Sequence, residues 1–105
     1  MIAQPEGLIS VLLDKSARED ERHDAAMDLS LYPSDKVIEA LYRIVVDTSE
    51  EDIILDSCGE SLATIWISRN QIDKEKISEL SKTSFLAAKQ VIQGRKPEWL
   101  IYFDQ

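Results

Sequence analysis

The chain holds one cysteine, one histidine, three glycines and three prolines in 105 residues. A single cysteine, Cys58, excludes an intramolecular disulfide framework. A single histidine, His23, excludes a metal site built from histidines. Scarce glycine and proline leave little material for tight turns, so long regular elements are expected. Valine and isoleucine are plentiful, yet they recur at helical spacing without sustained alternation, which excludes a strand-rich fold. No apolar run approaches the ~20 residues that a membrane-spanning helix needs. The opening residues, MIAQPEGL, lack a basic segment and a long apolar segment, so no signal peptide is expected and the expected compartment is the cytoplasm. Positive charge is also short. Twelve Lys and Arg face twenty Asp and Glu, a net charge of −8, so nucleic-acid phosphates would be repelled. Neither a phosphate-binding loop, a dinucleotide fingerprint nor an HExxH pair occurs. Catalytic residues, cofactors and metals are therefore not expected.

The residues that remain, 44% hydrophobic and 30% charged, describe one folded domain over 1–105. Its centre is the stretch from Ser34 to Arg69. Val37, Ile38, Leu41, Ile44 and Val45 recur at three- and four-residue spacing, and Ile54, Leu55, Cys58, Leu62, Ile65 and Trp66 do so again. Ser49, with Asp52 three residues on, reads as an N-cap between them. Pro5 suits a first helical turn, and Leu8, Ile9, Leu12 and Leu13 follow it. Ser16 and Glu19 form a second capping box, and Pro33 ends the helix that it starts. Beyond Asn70-Gln71, Asp73 caps a short helix carrying Ile77 and Leu80. Thr83 or Ser84 starts a last helix with Gly94 as its expected C-terminal glycine.

A shift of 33 residues places Ser16 on Ser49, Ala25 on Cys58, Leu29 on Leu62 and Tyr32 on Ile65. The expectation is all-α, with three stacked antiparallel helical hairpins over about 5–32, 34–69 and 73–94 and an apolar tail over 95–105. Cys58 occupies a small-residue packing position and is expected to be an inert core thiol. His23, among Glu19, Asp20 and Asp24, is expected to be solvated.

The segments HDAAMDLSLY and LDSCGESLATIW resemble the second helix of HEAT-like repeats, in particular the short type found in phycobilisome lyases, of the form V-R-x-x-A-x-x-A-L. The arginine of that pattern falls on Arg22 in the first copy and is absent at Ile54-Leu55 in the second. This resemblance implies an α-solenoid fragment, and only through it does a lyase-like subunit enter as a third functional class.

Charge is unevenly placed: residues 1–60 carry 15 acids against 5 bases, whereas residues 61–105 carry 5 against 7. Asp20, Asp24 and Asp28 stand four apart on one helix, and Asp52, Asp56 and Glu60 on another. Like charges at that spacing cost local helix stability, so the stripes read either as a solvated face, partly favoured by carboxylates at helix N-termini, or as one merged acidic surface with an external role. The expected partner-binding residues are Asp24, Asp28, Asp52, Asp56 and Glu60. The tail residues Trp99, Leu100, Tyr102 and Phe103 are expected to fold back over the last hairpin, with Trp99 and Tyr102 as aromatic anchors should the tail stay open. Size and charge together lead to a non-enzymatic protein-binding module. Its expected form is a bacterial immunity or inhibitor protein, a monomer or weak dimer that neutralises a basic, nuclease-type toxin. The alternative is a HEAT-like adaptor or assembly subunit. Neither reading involves nucleic acid or membrane.

Overall fold

A computed structural model describes residues 3–104. The described chain is all-α, with six α-helices and two 3-10 segments and no strand. The helices are α1 (Glu6–Leu13), α2 (Glu19–Asp28), α3 (Asp35–Val45), α4 (Asp52–Arg69), α5 (Lys74–Glu79) and α6 (Lys82–Arg95). A 3-10 turn, Leu29–Leu31, extends α2, and a 3-10 helix, Pro97–Tyr102, follows α6.

Helix α4 is the pillar of the molecule. Ten of its 18 residues are buried, because it packs against α2, α3 and α6, with its most extensive contact on α6. A helix that is apolar on most of its circumference must sit among several neighbours. Its antiparallel pairing with α3 follows from the α3 pattern and is closed by an ion pair from Arg69, at the end of α4, to Asp35, at the start of α3. Helix α1 packs on α2 and α3, and Lys36 at the start of α3 reaches Glu6 at the start of α1. Leu12, Leu29, Val37, Leu41, Ile54, Leu62, Ile65 and Ile92 are fully buried between these helices.

Helices α2, α4 and α6 run side by side in the same direction. Ser61 donates its hydroxyl to the Ala26 carbonyl at 2.6 Å, and Ser84 donates to the Leu55 carbonyl at 2.9 Å. Both serines are buried. Each bond joins a helix to its predecessor and fixes the register, because sliding would orphan a buried hydroxyl. Gly59 permits the closest approach. A Cβ there would lie 2.5 Å from the Ser84 carbonyl oxygen, so the α4–α6 seam requires glycine at this place.

The 33-residue similarity reappears in the loops as matched turns. Ser16 donates to Asp14 through its backbone N–H and its hydroxyl, at 2.9 and 2.6 Å. Ser49 does the same with Asp47 at the same two distances. These serines do not cap α2 and α4, whose N-cap residues Arg18 and Glu51 make no side-chain cap bond. An aspartate two residues upstream offers each serine a closed local turn, which wins over capping. Caps form where no such aspartate competes, at Ser34, Asp73 and Ser81.

The segment 73–94 is the least regular part. With six residues, α5 spans roughly 9 Å, against about 21 Å for the fourteen of α6, and Ile77 is its one buried residue. Part of the α6 apolar surface is covered by the C-terminal segment, while Leu86 stays exposed. Phe103 is buried and packs against Phe85 with the rings tilted by 50° at a centroid distance of 5.5 Å, while Asp104 pairs with Lys89 at 2.7 Å. Gly94 lies inside α6, since the helix runs on to Arg95 and no glycine has positive φ. The left-handed residue is Asn70, φ 51°, which ends α4. Gln105, the end of the expected tail, lies outside the described residues.

Candidate functional site: an acidic helical face

The core-facing residues of α2 are Arg22, Ala25, Ala26 and, at its end, Leu29. That leaves Asp20, Asp24, Met27 and Asp28 exposed on the other side. On α4 the neighbours consume every direction but one, and the residues left there are Ile53, Asp56, Glu60 and Thr64 at helical spacing. The two acidic stripes therefore sit on adjacent parallel helices. Asp24, Asp28, Asp52 and Asp56 are exposed, and Glu60 is half-buried. Asp52, at the α4–α6 edge, accepts a 3.0 Å bond from the Thr83 hydroxyl.

His23 lies between the stripes rather than in free solvent. It is half-buried, and its Nδ1 meets the hydroxyl of Ser57, which is fully buried. Ser57 donates to the Ile53 carbonyl at 2.6 Å, so Nδ1–H is the donor to Ser57. This half-buried bridge between α2 and α4 explains why the side chain turns inward. Burial raises the proton affinity of Glu60, the negative charge of Asp56 adds to it, and His23 opposes it. A half-buried carboxylate beside another is a place where an incoming cation relieves repulsion.

A second ionic cluster is structural. Arg22 and Glu50 are 4% and 8% exposed. The guanidinium donates to both carboxylate oxygens, at 2.9 and 2.7 Å, and through Nε to the Leu12 carbonyl at 2.9 Å. Lys15 adds bonds to Glu50 at 2.8 Å and to Asp47 at 2.9 Å. Arg22, backed by Lys15, holds the Glu50 carboxyl at about 2, well below its ordinary value of 4.5. The cluster ties the α1–α2 loop to the α3–α4 loop. The sequence signal for it was present, since Arg22 shares the 22, 25, 26, 29 spacing of the buried face.

Trp99 and Tyr102 are not on the acidic face. Both are half-buried against the core, with Lys96 over the Trp99 ring at 4.7 Å and Lys74 over the Tyr102 ring at 5.2 Å. A cleft of about 630 Å³ opens elsewhere, between α3, the end of α4 and α5, with Trp66 and Arg69 in its wall. The ion pair of Arg69 with Asp35, 2.9 Å long, leaves Nη1 without a well-directed hydrogen bond. Four acids and three bases line this cleft, so it has no strong charge preference. Among the described residues no group of three or more His, Cys, Asp or Glu is placed to hold a metal ion, and no helix is long and apolar enough to cross a membrane. Burial pushes the Cys58 thiol far above its usual range and so keeps it protonated. No family model, curated protein or solved structure matches the chain.

Proposed function

We propose that this chain is a HEAT-like helical-repeat binding protein that acts as an immunity or inhibitor protein. Its target is a basic, nuclease-type toxin domain, met in the cytoplasm and held through Asp24, Asp28, Asp52, Asp56 and Glu60. The observation that carries the reading is the union of exposed carboxylates from α2 and α4 on one face of parallel helices. A nuclease that grips phosphates presents arginines and lysines, and an acidic face complements them, speeding association and covering the catalytic surface. The reading involves no catalysis, cofactor or metal, and no nucleic-acid or membrane partner. The matched Asx turns at Asp14 and Asp47 support the repeat assignment, and the same repeat architecture would serve an adaptor that holds several partners.

The test is a pull-down with the purified protein and the products of neighbouring genes, at low and high salt. One basic partner, released by salt and lost when Asp24, Asp28 and Asp56 become Asn and Glu60 becomes Gln, supports inhibition through charge. Binding that survives both treatments overturns the acidic-face mechanism. Several salt-tolerant partners instead favour the adaptor.

A further inference from the structure

Charge is only half of what the α2–α4–α6 face displays. Six large hydrophobic residues are exposed among the described residues, and four of them belong to this layer: Met27 and Leu31 at 38% and 75%, Ile53 at 44% and Leu86 at 55%. The helix registers set their places. Ser61 bonds to Ala26, and Gly59 backs onto Ser84. Met27, Glu60 and Leu86 therefore lie within about one turn (~5.4 Å) of the same level on three successive helices. Ile53 and Asp56 stand on the turns of α4 before Glu60. A half-buried carboxylate is thus flanked on both sides by exposed apolar side chains. A purely ionic partner would leave Met27, Ile53 and Leu86 in water.

Resting on the acidic-face reading above, we infer that this face docks a basic amphipathic helix of the partner protein. In that arrangement an arginine or lysine meets Glu60 and Asp56, and an apolar stripe covers Met27, Ile53 and Leu86. Charge complementarity names the sign of the partner. The helical form follows from the backbone. The receiving surface is made only of helices, whose main-chain groups are already paired, so it offers no edge for a strand to extend. An extended segment pressed against it would leave its own N–H and C=O groups without protein partners. A helix satisfies its own backbone and projects residues at i, i+3, i+4 and i+7 from one side.

The probe is a synthetic amidated peptide of about five turns, with a leucine stripe flanked by arginines, beside a scrambled peptide of identical composition. Binding is read by fluorescence anisotropy with the full chain. The ordered peptide is expected to bind at least about tenfold more tightly than the scramble. The double variant Ile53→Ser, Leu86→Ser should remove that difference, whereas Asp56→Asn with Glu60→Gln should weaken both peptides. These positions are at the surface, and circular dichroism confirms that the variants fold. Equal binding of the two peptides overturns the amphipathic-helix inference and leaves the acidic-face reading standing. Failure of both peptides to bind overturns the two together.

Discussion

Arg22 and Glu50 form a two-pronged buried ion pair across 28 residues of sequence, the guanidinium of α2 gripping the carboxylate of the α3–α4 loop. Removing one partner leaves the other charged and buried, so Glu50→Gln or Arg22→Ala should cost about 3–5 kcal/mol. The paired replacement Arg22→Met, Glu50→Leu should restore much of that loss, since desolvation of the pair offsets most of its attraction. Urea unfolding of the three variants checks this. A single variant that loses less than about 1 kcal/mol contradicts a structural role for the pair.

The same pair sets the acid response. The pKa of Glu50 falls from 4.5 to about 2 on folding. The folded state thus gains stability that is complete above the ordinary value and lost as pH falls from about 4.5 towards 2, about 3 kcal/mol in all. Glu60 has the opposite sign. Its folded pKa is raised, so its penalty is absent in acid, builds as pH rises above the ordinary value, and is complete above the raised one. Stability curves for wild type and Glu50→Gln should converge towards pH 2, and that convergence is the measurement.

Glu60→Gln should stabilise the free protein at neutral pH by a few tenths of a kcal/mol, by relieving its repulsion with Asp56 one turn away. Thermal melts at pH 7 test this. A lower melting temperature would mean that Glu60 makes a favourable contact within the free fold.

Two glycines of the helices should respond in opposite directions to alanine. Gly59→Ala drives a methyl into the Ser84 backbone, an overpacking cost of roughly 1–3 kcal/mol against a propensity gain of up to ~1. Gly94 has nothing within 4 Å of its missing Cβ, so Gly94→Ala should stabilise by up to about 1 kcal/mol. Paired melting curves decide both.

Cys58 is fully buried, and burial suppresses its thiolate. A thiol reagent should label the native protein far more slowly than the unfolded one. Rapid native labelling would mean that α4 opens easily.

The all-α class was legible because α1, α3, α4 and α6 write their period in Leu, Ile and Val, whereas α2 carries only Arg22, Ala25 and Ala26 on its buried face before Leu29. The stripe positions were legible too, since four-residue spacing on a helix needs no tertiary knowledge. What escaped depended on neighbours. Ser16 and Ser49 look like caps until the aspartate two residues before each is weighed as a competitor. His23 looks solvated because its own helix is polar there, and only Ser57, 34 residues away, turns it inward. Arg22 was hidden by its charge, although its spacing matched the buried face. Gly59 is masked in the sequence by Cys58 beside it, and only the Ser84 backbone, 25 residues on, reveals why a glycine stands there. For Trp99 and Tyr102 the sequence offers folding back or standing open, and folding back follows from the need of a terminal repeat to hide its outer apolar face; both rings are half-buried against the core.

The buried serine bonds between successive helices, Ser61 to Ala26 and Ser84 to Leu55, have a consequence for how the molecule meets others. Greasy helix contacts can ratchet by a turn, but these hydroxyls tie each helix to one carbonyl of the last, so the layer behaves as a graduated ruler. The spacing of its surface groups is set before any encounter. Conformational adjustment then falls on whatever lies down upon it, and selectivity comes from how well the arriving chain keeps step with that fixed scale.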